Sequence, residues 1–170
     1  MKFFTALAGV LAAALFLGPA AATHAQTGST SALRIEVPVI LKQAKAVFNM
    51  DHLSFEGTTP TGLAWMKRNT ATFARDKTSW QIIAVFHGPG GLMMLNDAAY
   101  DRVHKTTGGN PYKGLIADLQ RTGVRFEECG ETAQLNSWTN AHMLPGVQIN
   151  SGAILRFIQL GQEGFVQIHP

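Results

Sequence analysis

A chain of 170 residues, 46% hydrophobic and 15% charged, has the size and balance of one globular domain. Its 17 glycines follow no triplet period and fall among apolar segments, so collagen-like and low-complexity architectures are excluded. Fourteen basic against eleven acidic side chains leave a formal charge of +3 with both signs interspersed, which gives no electrostatic footprint for nucleic acid or an anionic membrane.

The first 25 residues read as a secretory signal. Lys2 supplies a positive start, residues 3–17 are uncharged and apolar, Gly18-Pro19 breaks the run, and Thr23-His24-Ala25 offers a cleavage site before Gln26. A retained anchor would need roughly 20 apolar residues and a basic stop-transfer cluster, neither of which is present. The expected product is periplasmic or secreted and free of the membrane after cleavage. An exported chain with one cysteine, Cys129, forms no internal disulfide, and the absence of Cys-x-x-Cys excludes thioredoxin-type exchange and thiolate zinc sites.

Residues 26–43 read as an N-terminal arm. Within it, 33–40 alternate apolar and polar residues but contain Pro38, as an edge strand or extended arm would. A domain is expected over 44–170. Its first core strand covers 45–50 and ends in Asn49, Asp51 and His52. Thr59 as cap and Pro60 as first helical residue predict a helix over 60–75 with Leu63, Met66, Thr70 and Phe73 on the core face. Residues 80–86 hold the continuous apolar run Ile82-Ile83-Ala84-Val85-Phe86, the mark of a parallel strand buried on both faces. After His87, Gly88-Pro89-Gly90-Gly91 turns into a helix predicted over 92–104 from the spacing of Leu92, Leu95, Ala99 and Val103.

Asn110 as cap, Pro111 as first residue, the stripe Tyr112, Leu115, Ile116, Leu119 and the terminator Gly123 predict the next helix. A short strand follows over 124–128, ending at Cys129-Gly130. Thr132 could cap a helix with Leu135, Trp138 and His142 on one face, stopped by Leu144-Pro145-Gly146. A fourth strand over 147–149, a helix over 152–163 capped by Asn150 or Ser151, and a fifth strand over 165–168 complete the chain. Strands alternating with helices predict right-handed crossovers, a mainly parallel five-stranded sheet and a three-layer α/β/α sandwich.

In such sheets ligands bind beyond the carboxyl ends of the strands. That rule selects Asn49, Asp51, His52, His87, Cys129, Asn150, Ser151 and His169. Cys129, where a strand meets a helix start, is the candidate nucleophile, with Glu127, Glu128 and Glu131 opposing its ionisation. Met93 stands where a dinucleotide fingerprint beginning at Gly88 needs its third glycine, and no Lys-Ser/Thr pair makes a phosphate loop. The histidines form no pair at i, i+3 or i, i+4, so no metal site is expected, and a serine-hydrolase elbow is missing. No cofactor is called for.

From about residue 45 onward the chain resembles the DsrE/DsrF-like family of small α/β proteins in sulfur metabolism and sulfur relay. The resemblance is carried, in order, by Val85-Phe86-His87-Gly88, the helix-to-strand passage through Gly123-Val124, Cys129-Gly130, Leu144-Pro145-Gly146-Val147, Ser151-Gly152, and Gln162-Glu163-Gly164-Phe165 with the terminal Pro170. It implies a DsrEFH-like fold related to flavodoxin- and Rossmann-like sandwiches. It implies a sulfur-carrying or sulfurtransferase-like role in which Cys129 bears sulfur as a persulfide; the expected binding residues, His87, Gly88, Asn49, Asn150 and Ser151, come from their place at the carboxyl edge. It also implies assembly into a homo-oligomer, trimer or hexamer, with a sulfur donor or acceptor protein or a small thiol as partner. The continuation after Cys129 departs from the Ser-Ala-x-x-Arg-Gly type, and export would separate the chain from cytoplasmic relay partners. The alternative from another class is a non-catalytic, oligomeric small-ligand or protein-binding module of the same fold.

Overall fold

A computed structural model describes residues 33–170; the expected signal peptide and its cleavage site lie outside the described residues. The chain divides into two units, Met1–Pro38 and Val39–Pro170. Of the first, residues 33–38 are described: they are exposed and enter no helix or strand. Residues 39–42 likewise precede the first strand without pairing, so the edge strand expected over 33–40 does not form.

The second unit is built on β1 (Gln43–Met50), β4 (Ser79–Phe86), β5 (Arg125–Cys129), β6 (Gln148–Asn150) and β7 (Val166–Ile168), with the two-residue strands β2 (Phe55–Glu56) and β3 (Thr59–Pro60) forming a small antiparallel hairpin. The five-stranded sheet runs β6-β5-β4-β1-β7, and every neighbouring pair is parallel. β1 and β4, which have partners on both sides, carry the run of fully buried residues that such positions demand. The helices are α1 (Thr61–Asp76), α2 (Asp97–His104), α3 (Lys113–Thr122), α4 (Gly130–Leu135) and α5 (Ala153–Gln162). Among the described residues no helix is long and apolar enough to cross a membrane.

The two faces of the sheet are loaded unequally. On one, Phe48, Ile82, Phe86 and Phe126 pack against Leu63 and Met66 of α1, Ala99 of α2, and Ile116 and Leu119 of α3. On the other, Val47, Ile83, Val85 and Cys129 meet Ala153 and Leu160 of α5 together with Phe165. Each fully buried large apolar side chain contributes about 1.5–3 kcal/mol, so the first face supplies most of the hydrophobic stabilisation.

The elements differ from the sequence expectation at helix boundaries. Pro60 is the cap of α1, with φ −56° and ψ 129°, and helical geometry starts one residue later. The helix expected over 92–104 is divided into a 3₁₀ segment, Gly88–Met94, and α2. Asn96 divides them, its Oδ1 accepting the Ala99 N–H at 3.0 Å. Asn110 makes the break affordable: its side-chain amide donates to the carbonyls of Met93 and Leu95 at 2.8 and 2.6 Å, the groups that a continuous helix would have satisfied internally. Asn110 therefore bonds back across the chain, while its Oδ1 accepts from Tyr112 N–H and α3 starts at Lys113.

The long helix expected after Cys129 is also divided. α4 stops at Leu135, Ser137 turns with φ +57°, and a 3₁₀ turn covers Asn140–His142. Leu135 consequently points away from the core at 86% exposure, and His142 caps its own turn by accepting the Thr139 N–H on Nδ1. Asn150 leads into α5 by accepting the Gly152 N–H at 3.0 Å.

Candidate functional site at the carboxyl edge of the sheet

Because all five strands are parallel, their carboxyl ends share one edge, and the strand order lays out the sequence candidates along it. From one side to the other come Asn150, Cys129, His87, the group Asn49, Asp51 and His52, and His169. The crossing from β4 to its neighbour is pinned by backbone. His87 N–H donates to Met50 O at 3.2 Å and Gly90 N–H to Asp51 O at 3.4 Å, so the 3₁₀ segment lies directly on the end of β1. A Cβ at Gly90 would stand 2.0 Å from Met50 O, and no residue but glycine fits there. Gly88 takes φ +52° and donates its N–H to Thr132 Oγ1 at 3.0 Å, tying the same turn to α4.

Cys129 ends β5 at 3% exposure. Its Sγ accepts the Ala153 N–H at 3.3 Å, at the first residue of α5. The helix start facing the thiol is thus α5, on a different strand connection from α4, the helix that follows Cys129 in sequence. The space over Gly130 is not an approach path, since a Cβ there would meet the Asn150 carbonyl oxygen at 2.5 Å. Two residues earlier on the same face, Glu127 is gripped by Arg156 through two hydrogen bonds of 2.8 and 2.7 Å and receives the Asn150 side-chain amide at 3.1 Å. This ion pair is nearly enclosed, so the guanidinium offsets the carboxylate that sequence reasoning set against Cys129.

Glu128, on the opposite face, is completely buried, and neither carboxylate oxygen has a hydrogen-bond partner. Burial, assisted by the nearby Cys129, pushes its carboxyl up to about 9. At neutral pH it is a neutral acid packed under Gly91, where a Cβ would touch its Oε1 at 2.5 Å. Glu131 lies beside Gly152.

Further along the edge, His87 Nε2 hydrogen-bonds Asn49 Oδ1 at 2.7 Å, and the ring stands edge-on to Phe157. Burial holds the imidazole below its ordinary pKa against the opposing charge of Asp51, so the ring is neutral at neutral pH. Beyond it, Asp51 Oδ1 is shared by His52 Nδ1 and by His169 Nε2, the latter at 2.8 Å. Burial raises the Asp51 carboxyl, but hydrogen bonds and charge from His52 and His169 prevail and hold it at about 2.

The sequence candidates therefore gather into two groups. Cys129 and Asn150 belong with Glu127, Arg156 and α5, while His87 and Asn49 pair with each other beside Asp51; Ser151 is exposed in the turn before α5. Sequence reasoning missed Arg156 as the partner of Glu127 and the joining of Asp51 to His169. Both bridge distant segments, and only the neighbours in the sheet could have announced them. A groove of about 760 Å³, lined by Gln43, Lys45, Phe73, Thr78, Glu163 and Val166 among others, lies elsewhere and shares no residue with this edge.

No protein-family model matches the sequence, and neither does any curated protein. Solved structures do. The chain is similar to MTH1491 from Methanobacterium thermoautotrophicum, a protein of unknown function, with TM-score 0.58 and 22% identity over 75% of this chain and 99% of that one. It is likewise similar to the ychN protein from E. coli, with TM-score 0.53 and 12% identity over the same shares. These likenesses establish the fold: a five-stranded parallel α/β sheet of the kind both neighbours have, as the alternation of strands and helices predicts.

Proposed function

We propose that the protein is a DsrE/DsrF-like domain that handles reduced sulfur, with Cys129 as the thiol that bears it. The observation that supports this reading is the seat of Sγ, which accepts a backbone N–H at the start of the ten-residue α5 while Glu127, two residues earlier on the same face, is neutralised by Arg156. A helix start and an N–H donor can hold the terminal anion of a persulfide. In the step proposed, the Cys129 thiolate attacks the outer sulfur of a donor persulfide R–S–SH. The new S–S bond forms on Cys129, the donor's own S–S bond breaks, and the donor leaves as its thiolate RS⁻, with no net oxidant. Cys129 is the chain's one cysteine, so release requires a partner thiol or a small acceptor thiol.

In the same reading the chain is exported after cleavage near Gln26 and works as a homo-oligomer, a trimer or hexamer. Support for assembly comes from α5, which buries Ala153 and Leu160 against the sheet yet leaves Ile154, Leu155 and Ile158 exposed on its outer side. A second copy of this chain would cover them.

The test is intact mass after exposure to glutathione persulfide. One added sulfur per chain, removed by reductant and absent in Cys129→Ser, is expected; equal gain in both proteins refutes the carrier role. A second reading, a non-catalytic binding module, is favoured by the near-complete burial of Cys129 and the Asn150 carbonyl over Gly130. It predicts that a thiol reagent reacts only after denaturation.

A further inference from the structure

We propose that Asp51, His52 and His169 form a binding site for a divalent transition-metal ion of the zinc class. One ligand atom from each lies within 4.8 Å of the other two. The two imidazole nitrogens converge on a single oxygen: His52 Nδ1 and His169 Nε2 both address Asp51 Oδ1. Two imidazoles and one carboxylate are a donor set that suits zinc and its neighbours in the first transition row, and hard ions such as calcium, which take oxygen, suit it poorly. Donors bound to one zinc ion at about 2.0–2.1 Å stand roughly 3.3 Å apart in a tetrahedron, so small side-chain rotations around the present cluster admit the ion.

The backbone under the cluster is fixed from three directions. Met50 and Asp51 carbonyls receive the His87 and Gly90 N–H groups. β7 runs beside β1 in the register Ala46↔Val166 to Phe48↔Ile168, which brings His169 out next to the end of β1. Pro170 rests against the start of α1, where its Cγ would lie 3.0 Å from a Cβ placed on Gly62. His169 is therefore held between a paired strand and a docked proline. The rings of His52 and His169 meet edge to face with centroids 5.2 Å apart, and His52 Nδ1 and His169 Nε2 both face Asp51 Oδ1.

The side chains are about half exposed, at 49% for His52 and 51% for His169, against 34% for Asp51. Three protein donors with an open, solvent-facing side leave a position for water or a small anion, as in exchangeable or reactive sites and unlike closed structural ones. Cys129 is not a member of this group, and the site does not depend on the sulfur chemistry proposed for it.

The experiment is zinc titration by calorimetry on protein prepared without a polyhistidine tag, with X-ray absorption on the loaded sample. Wild type and Cys129→Ser are expected to bind one zinc per chain, with a shell of nitrogen and oxygen near 2.0 Å and no sulfur. Asp51→Asn and His169→Ala are each expected to lose at least about tenfold in affinity. Both positions are partly exposed, and unchanged circular dichroism and melting temperature would show that the variants fold. Absence of stoichiometric zinc binding, undiminished binding in both variants, or a sulfur shell near 2.3 Å would overturn the proposal.

Discussion

Replacing Glu128 by glutamine tests whether a neutral acid is built into the core. The folded carboxyl titrates at about 9 against an ordinary value of 4.5, because burial withholds the ionised form from solvent and from any hydrogen-bond donor. Below pH 4.5 the group is protonated in both the folded and the unfolded chain, and its contribution is fully present. Above that pH the unfolded chain releases the proton while the folded chain keeps it, so stability falls with rising pH until the folded group itself ionises near 9. At 1.36 kcal/mol per unit, the loss between pH 4.5 and pH 7 is about 3 kcal/mol. Glu128→Gln has nearly the same shape and no ionisation, and so should lack this slope. Urea unfolding of both proteins at several pH values from 4.5 to 8 isolates the effect, since every other titrating group is common to the two. Glutamine should gain on wild type by about 3 kcal/mol from pH 4.5 to 7. Parallel stability curves would refute the reasoning and place an ionised, partnered carboxylate in the core.

Arg156→Ala should destabilise the fold by about 3–5 kcal/mol, because it leaves Glu127 as an enclosed charge without its guanidinium; chemical denaturation measures this, and the double change with Glu127→Gln should recover part of the loss. Gly90→Ala forces a Cβ into the Met50 carbonyl and should cost at least about 2 kcal/mol, read as a lowered melting temperature. Ile158→Asp, on the outer side of α5, should leave the melting temperature of the monomer nearly unchanged while lowering the assembled mass in light scattering; an unchanged assembly would move the interface elsewhere.

What was legible in the sequence depended on range. The run Ile82 to Phe86 declared a central strand by itself, because only a strand buried on both faces needs five apolar residues in succession. Gly123 declared the end of α3 equally well, and it does take a left-handed conformation, with φ +108°. The apolar spacing of Leu92, Leu95, Ala99 and Val103 misled, because Leu95 and Ala99 fall on opposite sides of a break stabilised by Asn110, a residue outside that segment. The hairpin of β2 and β3 was invisible for a different reason: two residues per strand give no periodicity. At the site, the carboxyl-edge rule selected Asp51, His52 and His169 one by one. Their meeting followed only from β7 lying beside β1, a choice of neighbour that local pattern does not encode. The burial of Glu128 was likewise hidden, since an acid in the sequence Arg125-Phe126-Glu127-Glu128-Cys129 reads as solvent-facing until both flanking strands are in place.

The pairing of β7 with β1 also bears on how the chain is made. A ribosome delivers β1, β4, β5 and β6 in an order that lets each new strand find one already present, but the far side of β1 waits for β7, residues 166–168. Until β7 is made, Ala46, Val47 and Phe48 present unpaired backbone on an apolar edge, the kind of edge that recruits strands from other molecules. Removal of β7 would therefore leave the sheet open at its first strand.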